Sequence, residues 1–77
     1  MTPTTRRAFG TWLKAQTRRD DPIGDLAKDF LRDCRLRKIT PVSIGKPSDL
    51  RALMLGACPE ALRALREAAG EFRREAA

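Results

Sequence analysis

Gly45-Lys46-Pro47-Ser48 is the stretch that comes nearest to a phosphate-binding loop. Such a loop needs a glycine-rich backbone to cradle the anion and a Gly-Lys-Ser/Thr order to bring an ammonium and a hydroxyl onto the phosphates. Pro47 interrupts that order, and Thr40 stands where the motif requires its first glycine. Acid–base chemistry is equally poorly provided for. The chain has no histidine, and hence no side chain whose ordinary pKa suits a base near neutrality. Its serines and threonines fall at caps or turns. Its carboxylates fall at helix starts or in pairs on helix faces, where solvation and pairing explain them without a catalytic role. Cys34 and Cys58 are far apart, with no CxxC spacing, so no four-ligand zinc set is available. The expectation is a protein that is not an enzyme, with no metal, no cofactor and no small-molecule substrate.

Both cysteines sit among apolar residues, where a free thiol packs as a small hydrophobe. Buried thiols in a reducing cytoplasm are expected, and one disulfide is the alternative left open by the spacing. The opening "MTPTTRRAFG" carries charge but no apolar stretch of the kind a signal peptide needs. The longest apolar run, residues 52–58, is far short of the roughly 20 residues that span a bilayer. A membrane role is therefore not expected.

What the chain does carry is positive charge. Sixteen Lys and Arg stand against ten Asp and Glu, for a net of +6. Residues 1–47 hold eleven of the cations and five aspartates, whereas residues 48–77 balance five arginines with five acids. The surplus thus belongs to the front of the chain. Arg7, Lys14 and Arg18 fall away from the apolar face of a first helix. Lys28, Arg32 and Arg35 line one flank of a second, and Arg37 and Lys38 continue from its end. Lys46, with the helix start that follows it, could add an anion site. A surface of this kind attracts either an acidic protein or the phosphates of a nucleic acid. Five interleaved aspartates and the absence of a spare aromatic for base stacking argue against nucleic acid. The expected function is a protein–protein contact module working through charged helix faces, with another copy or an acidic protein as partner. The alternative is phosphate-dominated, weakly sequence-selective nucleic-acid binding through helices one and two.

The elements that must hold these charges follow from apolar spacing and caps. Phe9, Trp12, Leu13 and Gln16 share one face of a helix over about 5–17. In "RRDDP" (18–22) one helix ends on cations and the next begins on anions, with Asp21 as N-cap and Pro22 in the first helical position. Gly24 in that first turn suggests a close backbone approach to a neighbouring helix. Helix two runs over about 22–35, with Ile23, Leu26, Ala27, Phe30, Leu31 and Cys34 inward and an Asp29–Arg32 pair outward. Residues 36–47 hold Ile39, Val42 and Ile44, and read either as one short helical turn opened by Thr40-Pro41 or as an extended piece. Ser48 is expected to cap a third helix over 49–55, stopped by Gly56. A fourth runs from Pro59 to about Glu75, burying Cys58, Ala61, Leu62, Leu65, Ala68, Ala69 and Phe72 under a self-paired outer face of Glu60, Arg63, Glu67, Glu71 and Arg74. The whole reads as one all-α domain over 1–77, frayed at 1–4 and 76–77. It is a compact orthogonal bundle of four or five short helices around Phe9, Trp12, Leu13, Ile23, Leu26, Phe30, Leu53, Leu62, Leu65 and Phe72.

"FGTWLKAQTRRDDPIGDLAKDF" (9–30) with "LGACPEALRALREAAGEF" (55–72) resembles the YozE SAM-like family of small bacterial proteins. The likeness rests on Phe9 and Trp12, on Leu13 and Gln16, on the Asp-Asp-Pro-Ile-Gly-Asp-Leu-Ala junction at 20–27 and on the alanine- and leucine-rich last helix. It covers both ends of the chain and little of 36–54. The resemblance implies a SAM-like bundle of four or five helices and no catalytic residue. Folds of that kind serve both protein contact and nucleic-acid binding.

Overall fold

A helix of six residues is too short to be stable alone, and the first helix has only six. In the computed structural model, which describes residues 7–76, α1 spans Phe9–Lys14. It is followed by α2 at Pro22–Arg37, a 3-10 turn at Pro41–Ser43, α3 at Pro47–Leu53 and α4 at Pro59–Ala76. There is no strand among the described residues. The radius of gyration is 11.9 Å, close to the roughly 11–12 Å of a folded chain this long. The expected all-α bundle is what forms. Among the described residues, no helix is long and apolar enough to cross a membrane.

α1 is shorter than the sequence suggests. The expected start at residue 5 lies outside the described residues. Past Lys14 the chain tightens, as Ala15 N–H donates to Trp12 O at 3.1 Å and Gln16 N–H to Leu13 O at 2.8 Å. This i to i−3 pattern ends the helix early and swings residues 15–18 toward the next element. At its start, Phe9 N–H donates to Gly45 O and Gly10 N–H to Ile44 O, at 3.0 and 2.7 Å. Two donors that no helical carbonyl can reach are thereby satisfied by a distant loop. The approach is so close that a Cβ on Gly10 would lie 1.9 Å from Pro41 O.

The junction before α2 forms as its residues dictate. Asp21 is extended, its Oδ1 accepts from Gly24 N–H at 2.9 Å, and Pro22 takes the first helical position. Gly24 is needed because a Cβ there would meet Arg19 O at 2.0 Å. The close approach is therefore to the preceding turn and not to a neighbouring helix. α2 runs two residues beyond the expected end. Lys38 closes it in the left-handed region at φ 57, donating to Arg35 O, while Ile39 N–H donates to Cys34 O. The paired bonds make a Schellman closure that tucks Ile39 against the core.

Residues 40–44 adopt the short-turn alternative, with Thr40 preceding the 3-10 turn. α3 then starts two residues earlier than expected, and Ser48 does not cap it. Lys46 is the N-cap residue, and its backbone N–H donates to the Asp49 carboxylate at 3.1 Å. A proline at the first helical position and an acid in the first turn set the start here, and the hydroxyl of Ser48 falls inside the helix. α3 ends at Leu53, and Gly56 at φ 85 belongs to the turn beyond.

α2 and α4 pack together, α1 lies against both, and α3 sits on α1 and α4. Phe9, Trp12 and Leu13 are the most completely buried large side chains. Phe72 lies edge-on to Phe9 at a ring separation of 5.2 Å, and Trp12 is 5.8 Å from each of them. Ile23, Leu26, Phe30 and Leu65 are buried as expected, whereas Leu53, Leu62 and Phe72 are half-buried because they sit at the rims of the helix seams. Ile44 and Leu50 complete the core.

Gly10→Ala should destabilise the fold by about 1–3 kcal/mol despite alanine's better helix propensity, because the new methyl meets backbone and not a movable side chain. A thermal melt that leaves the midpoint unchanged or raised would contradict this account of the α1–loop contact.

Candidate functional site

Every cation singled out in the sequence is exposed: Arg7, Lys14, Arg18, Lys28, Arg32, Arg35, Arg37, Lys38 and Lys46. They are not arranged as two helical stripes. Of the first three only Lys14 lies on α1; Arg7 precedes the helix and Arg18 is in the turn after it. A six-residue helix is too short to hold positions eleven apart. On α2 the stripe is real. At 100° per residue Lys28, Arg32 and Arg35 share one flank, and Asp25, Asp29 and Asp33 share the other. The aspartates partly offset the cations. Arg32 lies 3.6 Å from Asp29 and Arg37 lies 3.9 Å from Asp33. Both pairs are open to solvent and are correspondingly weak. Lys46 does not build an anion site, since the first turn of α3 already holds the Asp49 carboxylate.

The best-made electrostatic contact lies elsewhere. Arg19 Nη1 donates to Glu71 Oε1 at 2.7 Å and Nη2 to Oε2 at 3.1 Å, while Nε donates to Asp21 Oδ2 at 3.0 Å. One guanidinium thus joins the cap of α2 to the flank of α4. Hydrogen bonding to Glu71 and then to Asp21 raises the Arg19 pKa further above its already high value. The Arg19 hydrogen bonds hold the Glu71 carboxyl below its ordinary range. Asp21 is lowered first by the Gly24 N–H and then by Arg19. The sequence gives Arg19 only as a helix-end charge and Glu71 as a partner for its own helix. Neither reading anticipates a contact across the bundle. Nearby, Trp12 Nε1–H donates to Glu75 Oε1 at 2.9 Å.

These contacts engage one flank of the last helix. Glu67, Glu71 and Glu75 recur every fourth residue along one flank of α4. Glu71 and Glu75 are engaged by Arg19 and Trp12. On the opposite flank, Arg66 and Arg73 run beside Leu62 and Ala69. No ion pair within α4 forms among the described residues. The expected self-paired outer face is therefore corrected, because its central acid is used to hold the junction.

Two grooves flank α3. The larger, about 440 Å³, lies over Leu26, Phe30, Leu50 and Leu53, with Asp29, Arg32 and Asp33 on its α2 rim. Leu55, 86 % exposed, stands at its lip. The smaller, about 220 Å³, lies between α3 and α4 and carries Arg51 and Arg66.

The cysteines are both free, and they differ. Cys34 is buried, and burial, with Asp33 beside it, pushes its thiol pKa up. Cys58 is exposed, contrary to the expectation of two buried thiols, because it precedes Pro59 at the open start of α4. No group of three or more potential metal ligands occurs among the described residues. No family model matches this chain, and neither do curated proteins or solved structures.

Two outcomes follow from this geometry. Carboxylates with lowered pKa values contribute stability that is fully present above their unfolded values, near 4.5 for Glu71 and 3.8 for Asp21, and is lost as pH falls through the lower folded values. Glu71→Gln should therefore be less stable than the parent at neutral pH and should lose less on acidification through this window. Parallel stability-versus-pH curves would refute the Arg19 contact. Thiol titration with a disulfide reagent should label Cys58 rapidly in the native protein and Cys34 only on unfolding. Two equally fast thiols would contradict the burial of Cys34.

Proposed function

We propose that this protein is a small SAM-like interaction module, related to the YozE family, that acts without catalysis by presenting charged helix faces to another protein. The observation that carries this reading is the division of labour on its surface. All four aromatics are withdrawn, with Phe9, Trp12 and Phe30 buried and Phe72 packed on the first two. The exposed face of α2 sets a flank of cations beside a flank of aspartates, bridged by Arg32–Asp29 at 3.6 Å and Arg37–Asp33 at 3.9 Å. Mixed charge with both signs available suits protein partners, whose own surfaces are mixed. A phosphate track wants cations without carboxylates between them, and single-strand recognition wants free aromatic rings.

Affinity capture with the immobilised full chain tests the reading. A partner protein retained after nuclease treatment and lost with the Lys28→Glu, Arg35→Glu double variant is the expected result. Capture abolished by nuclease, together with duplex DNA binding that weakens steeply with salt, would replace it with the nucleic-acid alternative.

A further inference from the structure

The groove between α3 and α4 has a composition that the sequence arithmetic hides. Residues 48–77 are neutral in sum, yet two of their acids, Glu71 and Glu75, are held by Arg19 and Trp12 on the α1 side of α4. The opposite flank keeps its arginines. Arg51 from α3 and Arg66 from α4 line one groove; both are exposed, and neither has an ion-pair partner among the described residues. No carboxylate lines it. Its remaining walls are mainly apolar, from Pro47, Leu62, Leu65 and Ala69, with Leu65 and Ala69 buried and Leu62 half-buried. The volume of about 220 Å³ is below the roughly 300–1,000 Å³ of small-molecule sites and suits a side chain or two.

Resting on the protein-contact reading above, we propose that this groove docks an acidic segment of a partner protein, with an apolar side chain on the Leu62–Ala69 floor and carboxylates against Arg51 and Arg66. Two features select this occupant. Guanidinium groups pair with carboxylates through forked, charge-assisted hydrogen bonds. An apolar floor rewards a ligand that brings an apolar group beside its charge, as an acidic peptide does and a sugar-phosphate backbone does not. The larger groove is a poorer fit for the same segment, because Asp29 and Asp33 stand on its rim.

The test is an amide chemical-shift titration of the full chain with a synthetic amphipathic peptide of glutamate and leucine. Saturable shifts should centre on Ser48, Arg51, Leu62, Arg66 and Ala69. Arg51→Glu and Arg66→Glu should each weaken binding about tenfold, while the equally charge-changing Arg63→Glu, outside the groove, should alter it by no more than about twofold. A peptide with serine for leucine should bind about tenfold more weakly, since only the floor contact is removed. Circular dichroism of each variant separates lost binding from lost fold. Equal affinity for the serine peptide, or no saturable binding, would overturn the assignment. So would shifts centred on Lys28, Arg32 and Arg35, although that outcome would leave the interaction-module reading standing. A duplex DNA fragment that moves the groove amides while the peptide does not would overturn both. Shifts reproduced by raising protein concentration alone would make the occupant a second copy and would also overturn the assignment.

Discussion

The backbone of α1 touches the backbone of the 3-10 turn, and the rest of the fold is arranged around that contact. Gly10 admits Pro41 O where any side chain would collide, and Phe9 and Gly10 give their N–H groups to Gly45 and Ile44. A six-residue helix gains little from its own hydrogen bonds. It holds its place because its first turn is completed by the loop and its apolar face is filled by Phe72 and its neighbours. The same contact fixes residues 44–46, from which α3 departs. The direction of α3, and with it both grooves, therefore follows from a meeting of main chains.

The Arg19 fork works at a second level. Its groups are partly open to solvent, so its contribution to stability is modest. Its larger effect is on charge. By holding Glu71 it withdraws an anion from the surface of α4, and Trp12 engages Glu75. On the flank turned away from these contacts, Arg66 and Arg73 stand without an ion-pair partner among the described residues. The packing of Phe9, Trp12 and Phe72 in one cluster and the engagement of Glu71 by Arg19 and of Glu75 by Trp12 are thus one arrangement seen from two sides. Packing chooses which flank of α4 faces inward, and that choice decides which charges remain outside.

What could be read from the chain was local. Asp21-Pro22 announces the start of α2 because cap and proline act within one turn, and the apolar arc from Ile23 to Cys34 gives its inner face by spacing alone. Gly56 announces a turn after α3 but not the helix end, which falls at Leu53 and not at residue 55. What escaped was non-local or competitive. Ser48 looked like a cap, but Pro47 and Asp49 on either side of it both favour an earlier start, and two weak signals displaced one. α1 ends early in i to i−3 bonds, and Arg19 beyond it reaches Asp21 and, across the bundle, Glu71, a contact no spacing rule contains. Cys58 lies among apolar residues in order but at an open helix start in space. The Arg51–Arg66 groove was invisible because it joins two helices whose charges cancel when summed.

Lys38 shows how this surface and this fold constrain each other. It closes α2 from the left-handed region, where a side chain other than glycine costs on the order of 1–2 kcal/mol. Glycine would relieve that cost and would remove one of the three cations at the end of α2, Arg35, Arg37 and Lys38. The bend that ends the longest stretch of exposed cations is therefore itself cationic and conformationally strained. In so small a domain, charge at this corner is held against the conformational preference of its own residue.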